Sequence, residues 1–281
     1  MVRDACRMGY GLMLALRVHQ GAAGLEPPFT FTVTTTGAQS VTIKRMTPRR
    51  NTWVDWGDGS AIAAVSAGYT GTLTHAYAGA GTWNVRYGTR DITYLDWRDA
   101  KLGGLNTNQL RRARFETFYL ENLPSASITL DSADMASWGV SYQFLLYILP
   151  STGITLDTAD MVGWGLSNAL ILYAIPSATI TLDGTDMLAW NSPDEIRINN
   201  CGLSSAAVTQ AILGAWGLRN LMAHSTPVLN IGGASNAVPG GAYADEDPPS
   251  TDLGYIYELV NDPESEGFYK WAVVWNGGSA P

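Results

Sequence analysis

PSASITLDSADMASWG (124–139), PSTGITLDTADMVGWG (150–165) and PSATITLDGTDMLAWN (176–191) are near copies of one phrase. Each begins 26 residues after the last, and Trp138, Trp164, Trp190 and Trp216 keep the same step. A fixed period of this length is the signature of a solenoid, whose units stack because none can bury its apolar side alone. Solenoids present extended surfaces. The repeat therefore points first to a binding or structural role.

Working outward, ITYLDWR (92), FYLENLP (118), FLLYILP (144), LILYAIP (170) and IRINNCG (196) also start 26 apart. Each reads as a short apolar strand ending in a turn. A second short strand, ITL, follows at Ile128, Ile154 and Ile180. Asp131, Asp157 and Asp183 then stand where a helix N-cap belongs, with Asp134, Asp160 and Asp186 suited to the first turn. Met and Trp at four and seven residues past the cap share one helix face, which makes the tryptophans core residues. In the last copy Ser204 or Ser205 caps a longer helix that Gly217 is expected to stop.

Before the repeats, Phe29 to Thr36 reads FTFTVTTT, and further strands are expected over 40–45, 52–56, 71–77 and 82–87. Short strands separated by glycine turns predict a β-sandwich. After the repeats, VLNIGG (228–233) predicts a final strand, and 255–260 with 268–275 predict a hairpin across 261–267. The fold class is thus mainly β with short helices: an N-terminal β-sandwich, a solenoid of 26-residue repeats with parallel strands, and a C-terminal β cap. The divisions are a terminal segment (1–25), the sandwich (28–91), the solenoid (92–225) and the cap (226–281).

Composition narrows the function. Apolar residues make up 46% and charged residues 15% of 281, which excludes a disordered chain. No apolar run reaches the ~18 residues of a membrane span. The net charge of −8 is uneven: residues 1–50 carry seven Lys/Arg against two acids, and 241–281 carry eight acids against Lys270. Such asymmetry can orient a chain among neighbours. Arg3 and Arg7 precede an apolar stretch (9–16) that superficially resembles a secretory leader. Arg17 interrupts it, so a retained helix over 4–18 is expected, a docking peg or a packing element.

No nucleophile elbow, phosphate loop or zinc-protease motif occurs. His19, His75 and His224 lack metal-ligand spacing, and the regular aspartates are capping residues; no catalytic residue, metal or cofactor is assigned. Cys6 and Cys201 lie far apart, and Cys201 reads as a small core residue. The small basic clusters, 44–50 and Arg111, Arg112 and Arg114, sit in an acidic chain, which argues against nucleic acid.

Two resemblances follow. VDWGDGS (54–60) with THAYAGAGTWNV (74–85) resembles the polycystic-kidney-disease-type (PKD-like) immunoglobulin-like domain, through Asp55, Gly57, Asp58, Gly59, His75, Tyr77, Gly81, Trp83 and Val85. Ile196, Ile198, Cys201 and Leu203 resemble a leucine-rich repeat; in the other copies Leu123, Leu149 and Ile175 replace its Asn or Cys. The order of the two is similar to bacterial surface proteins and related phage-encoded proteins. It implies a non-enzymatic module of a virion (tail, fibre or capsid surface) acting in assembly or host attachment. Its partners would be other protein chains, a host receptor or a glycan. A bacterial cell-surface adhesin, extracellular, is the first alternative. An accessory module of a polysaccharide-degrading system is the second.

Strand alternation selects the candidate contact face. If positions 1 and 3 of each repeat strand point inward, positions 2 and 4 point out. These are Thr93 and Leu95, Tyr119 and Glu121, Leu145 and Tyr147, Ile171 and Tyr173, Arg197 and Asn199. Apolar and aromatic side chains in a row on an outer face mark contact with something.

Overall fold

The structure is a computed structural model describing residues 28–99, 101–110, 113–123, 127–149, 152–191, 193–219, 226–245, 248–261 and 270–280. The expected helix over 4–18, with Cys6 and His19, and His224, Arg111 and Arg112 lie outside these residues.

Two large sheets build the molecule. The front sheet has nine strands, in order Arg45–Pro48, Ile92–Trp97, Thr117–Glu121, Gln143–Tyr147, Ala169–Tyr173, Glu195–Asn199, Val228–Ile231, Ala272–Trp275 and Gly278–Ala280. The seven inner strands are all parallel, as a solenoid requires, and an antiparallel strand closes each end. The rear sheet has eight strands: Ala63–Val65, Thr52–Asp55, Ala80–Tyr87, Phe29–Thr36, Leu102–Asn106, Ser127–Asp131, Thr152–Asp157 and Thr179–Thr181. A two-stranded sheet pairs Gln39–Ile43 with Leu73–Tyr77.

The N-terminal strands and the solenoid share both sheets. Phe29–Thr36 pairs with Leu102–Asn106 at the rear, and Arg45–Pro48 pairs with Ile92–Trp97 at the front. One apolar core runs between the sheets from Phe29 to Val273.

Each central coil repeats one path. A front strand ends in a left-handed residue: Asn122, Ile148, Ala174 or Asn200, with φ of 53, 51, 54 and 56°. The chain then turns back, forms a rear strand and enters a one-turn helix: Ser132–Met135, Thr158–Met161 or Gly184–Met187. The caps are as expected: Asp131, Asp157 and Asp183 accept from the N–H groups of Ala133, Ala159 and Thr185 at 3.0, 3.0 and 2.8 Å. Trp138, Trp164 and Trp190 are buried. Trp164 and Trp190 donate to the Met135 and Met161 carbonyls of the preceding coil, at 3.3 and 3.2 Å.

The two sheets obey different registers. Front partners such as Phe118 and Phe144 are 26 residues apart, matching the repeat. Rear partners such as Leu130 and Ile154, or Thr155 and Thr179, are 24 apart. The rear strands are therefore sheared by two residues per coil.

Three expectations are corrected. Residues 255–260 are not a hairpin strand; they lie in the helix Asp252–Asn261. Ile256, Leu259 and Val260 are buried at helical spacing, and Thr251 Oγ1 accepts the Gly254 N–H at 3.1 Å. The hairpin instead joins Ala272–Trp275 to Gly278–Ala280 across Asn276-Gly277, where Gly277 has φ 101°. The C-terminal cap is thus mixed, and Val228–Ile231 and Ala272–Trp275 extend the parallel front sheet.

Second, Gly217 does not stop its helix, which spans Ser205–Leu218 behind the Ser204 cap. Gly217 lies instead against the end of the Leu188 side chain of the preceding coil. Third, the front strand at 92 carries a bulge: Thr47 faces Tyr94 while Pro48 faces Ile92, leaving Thr93 unmatched. Leu95 consequently pairs with Phe118 and is buried, so Thr93 and Leu95 are not the outer pair of that strand.

Candidate functional site

The outer side of the front sheet gathers the residues singled out from the sequence. Parallel pairing puts Tyr119, Leu145, Ile171 and Arg197 in one row and Glu121, Tyr147, Tyr173 and Asn199 in the next. Alternation then sends all eight to the same face. The tyrosine rings form a staircase, with centroids 5.6 Å apart for Tyr119–Tyr147 and 5.9 Å for Tyr147–Tyr173.

These residues pack into a second apolar cluster, separate from the core. Leu145 and Ile171 point outward yet are 7% and 6% exposed, because Tyr119, Tyr147 and Tyr173 lie over them and Ala169 fills the gap. The face is therefore a layer of half-buried phenol rings rather than open aliphatic surface. Burial and the 2.5 Å hydrogen bond to Glu121 push the Tyr119 phenol above its ordinary range. Burial does the same to Tyr147. Both rings stay neutral donors at physiological pH.

Charged pairs bound the staircase. At one end the Arg98 guanidinium lies 4.2 Å over the Tyr119 ring and grips Asp96 with two 2.8 Å hydrogen bonds. At the other, Arg197 pairs with Glu195, and Asn199 Oδ1 is buried with no hydrogen-bond partner among the described residues. Sequence reasoning missed Arg98, Asp96 and Tyr94, since the 26-residue step fails at the bulge. Arg45 covers Tyr94 at 3.9 Å. Beside Arg98 an open hollow of 480 Å³ is lined by Thr42, Lys44, Asp99 and Lys101.

The aspartates serve the backbone instead. Besides the caps, Asp160 and Asp186 accept from Ser132 Oγ at 2.7 Å and Thr158 Oγ1 at 3.2 Å in the coil before. Asp58 Oδ2 sits 2.7 Å from His75 Nε2, with Trp56 stacked on the imidazole at 4.9 Å. Cys201 is buried, and burial pushes its thiol up to about 11. Asn236, also buried and not anticipated, accepts from the N–H groups of Cys201 and Leu203 and donates to the Ile198 and Ile231 carbonyls. Among the described residues no three His, Cys, Asp or Glu side chains converge as a metal site, and no helix is long and apolar enough to cross a membrane.

No protein-family model, curated protein or solved structure matches the chain.

Proposed function

We propose that this chain is a non-enzymatic binding and assembly protein that meets its partners through the tyrosine staircase. Its setting on this reading is a virion, as a tail, fibre or capsid-surface component in assembly or host attachment. The observation that carries the reading is the outward second cluster of Tyr119, Tyr147 and Tyr173 over Leu145 and Ile171. Core packing does not account for it, since the core lies on the other side of the sheet. Aromatic side chains with arginine at the margin are the composition that dominates protein contacts.

The two resemblances refine the setting. Residues 28–91 are read as a PKD-like module, supported by the Asp58–His75 contact and by Tyr77, whose hydroxyl donates to the Trp56 carbonyl at 2.9 Å. Residues 92–225 are read as leucine-rich-repeat-like, supported by the Cys201 and Leu203 N–H groups, which both donate to Asn236 Oδ1.

The test is the double substitution Tyr147→Asp and Tyr173→Asp, followed by light scattering at physiological salt with circular dichroism as the folding control. Loss of each ring is expected to cost binding ~2 kcal/mol or more. The expected result is a lower assembled mass with an unchanged spectrum. An unchanged mass, or a hydrolytic activity that copurifies with the chain, would overturn the proposal.

A further inference from the structure

We propose that the rear sheet carries a separate binding site for a neutral saccharide, in the open hollow where the N-terminal strands join the solenoid. This goes beyond the staircase reading and does not rest on it. The hollow has a volume of 390 Å³, within the ~300–1,000 Å³ of small-ligand clefts.

Register builds it from four strands. Asn84, Thr32, Gly104 and Ser127 are successive partners across Ala80–Tyr87, Phe29–Thr36, Leu102–Asn106 and Ser127–Asp131. The first two pairings are antiparallel and the third is parallel, so this seam occurs once in a molecule that otherwise repeats. Thr32 faces Gly104 while Val33 faces Leu102, which leaves Gly103 as the extra residue of a bulge. Two glycines in succession leave that stretch of strand without side chains, and the hollow opens between Thr32 and Ser127. Further along, Asn106 pairs with Thr129. Gln109 Oε1 accepts the Thr30 N–H at 2.9 Å, which fixes the carboxamide at the edge of the hollow and leaves Nε2 to donate.

The lining selects the ligand. None of its eleven residues is charged, so neither a phosphate nor a metal ion finds a counter-charge there. Arg86, the partner of Thr30 in the next strand, is taken up by Asp55. The apolar members, Phe31 and Leu105, are 2% and 3% exposed and belong to the core, so a lipid gains nothing from them. An extended peptide would need a free strand edge, and Phe29–Thr36 and Leu102–Asn106 are each paired on both sides. Hydroxyls and carboxamides remain, and each of these groups both donates and accepts. Asn84 and Thr129 are exposed, and their side chains make no hydrogen bond among the described residues. Sugar hydroxyls have the same double character, and the paired strands fix the spacing of the groups that meet them.

Saturation-transfer difference NMR of the full chain with maltose, cellobiose, lactose and N,N′-diacetylchitobiose tests this, followed by calorimetric titration. At least one of these sugars is expected to bind with a Kd on the order of 1 mM, unchanged between ~25 and ~500 mM salt because no charge takes part. Glucose 6-phosphate should bind no more tightly. Ser127→Phe sets a ring in the hollow from an exposed position and should abolish the signal. Asn84→Ala with Thr129→Ala should weaken binding about 10-fold through two lost hydrogen bonds. Thr179→Phe, exposed on the same sheet two strands beyond Ser127–Asp131, should bind like wild type. So should the Tyr147→Asp, Tyr173→Asp protein, which lets the hollow and the staircase fail separately. Circular dichroism checks the fold of each variant. The site is overturned if none of the sugars binds, if the Kd depends on salt, or if glucose 6-phosphate binds more tightly. Binding undiminished in Ser127→Phe or in the double alanine variant, or lost in the staircase variant, overturns it equally.

Discussion

Ser132 Oγ accepts the Asp157 backbone N–H at 3.0 Å and donates to Asp160 Oδ2 at 2.7 Å, so one hydroxyl joins two successive coils. Thr158 repeats the joint to Asp183 and Asp186, at 2.8 and 3.2 Å. Thr107 accepts from the Asp131 N–H at 3.1 Å in the coil before. Where Gly184 has no hydroxyl, Gln210 Oε1 reaches back to accept the Gly184 N–H at 2.9 Å. This ladder keeps consecutive helices in step. Ser132→Ala should cost about 1–3 kcal/mol, since it strands the half-buried Asp157 N–H and removes a donor from a carboxylate. The check is chemical denaturation, with an exposed control such as Ser279→Ala staying within ~0.5 kcal/mol.

Trp164 is the test of the core. It packs on Phe144 with centroids 5.0 Å apart and is 1% exposed. Trp164→Ala should cost roughly 3–5 kcal/mol through lost burial and a cavity. Near-wild-type stability combined with loss of glycan binding would reverse the assignment and make the tryptophans a ligand platform.

Ile148 offers the opposite sign. It is a β-branched residue at φ 51° with 42% exposure, so it bears backbone strain and contributes little burial. The equivalent positions hold Asn122 and Asn200. Ile148→Asn is expected to stabilise by about 1 kcal/mol, the scale of the left-handed penalty. That should raise Tm by about 2–4 °C, read by calorimetry.

Asp58 sets an acid limit. Burial raises its pKa, but hydrogen bonds from Ser60 and the contact with His75 outweigh that and bring it down to about 2. A carboxyl lowered in the folded state contributes stability that is present above its unfolded value of 3.8 and lost as pH falls toward 2. Asp58→Asn should therefore cost about 1–2 kcal/mol at neutral pH and flatten the stability profile between those limits. Thermal melts from pH 7 to 2 give the comparison. A variant as acid-sensitive as wild type would place the titration elsewhere.

The sequence by itself determined the solenoid, its parallel strands, the aspartate caps and the buried tryptophans. Each follows from a local relation: period 2 in a strand, a carboxylate over an orphan N–H, or side chains three and four apart on one helix turn. The front face was legible from 118 to 199 for the same reason, since there the register equals the repeat. Only the tertiary structure decided the rest. The bulge at Thr93 exchanges Leu95 for Asp96 on the outer face, and the rear sheet slips to 24 residues per coil. Residues 255–260 became a helix although their apolar run also suits a strand. The shared sheets depend on Phe29–Thr36 finding Leu102–Asn106, some 70 residues away, and no periodicity announces a pairing made once. Local chemistry repeats and can be read along the chain. Register, shear and junctions are set where distant strands meet, because they minimise the energy of the packed sheets rather than of any single segment.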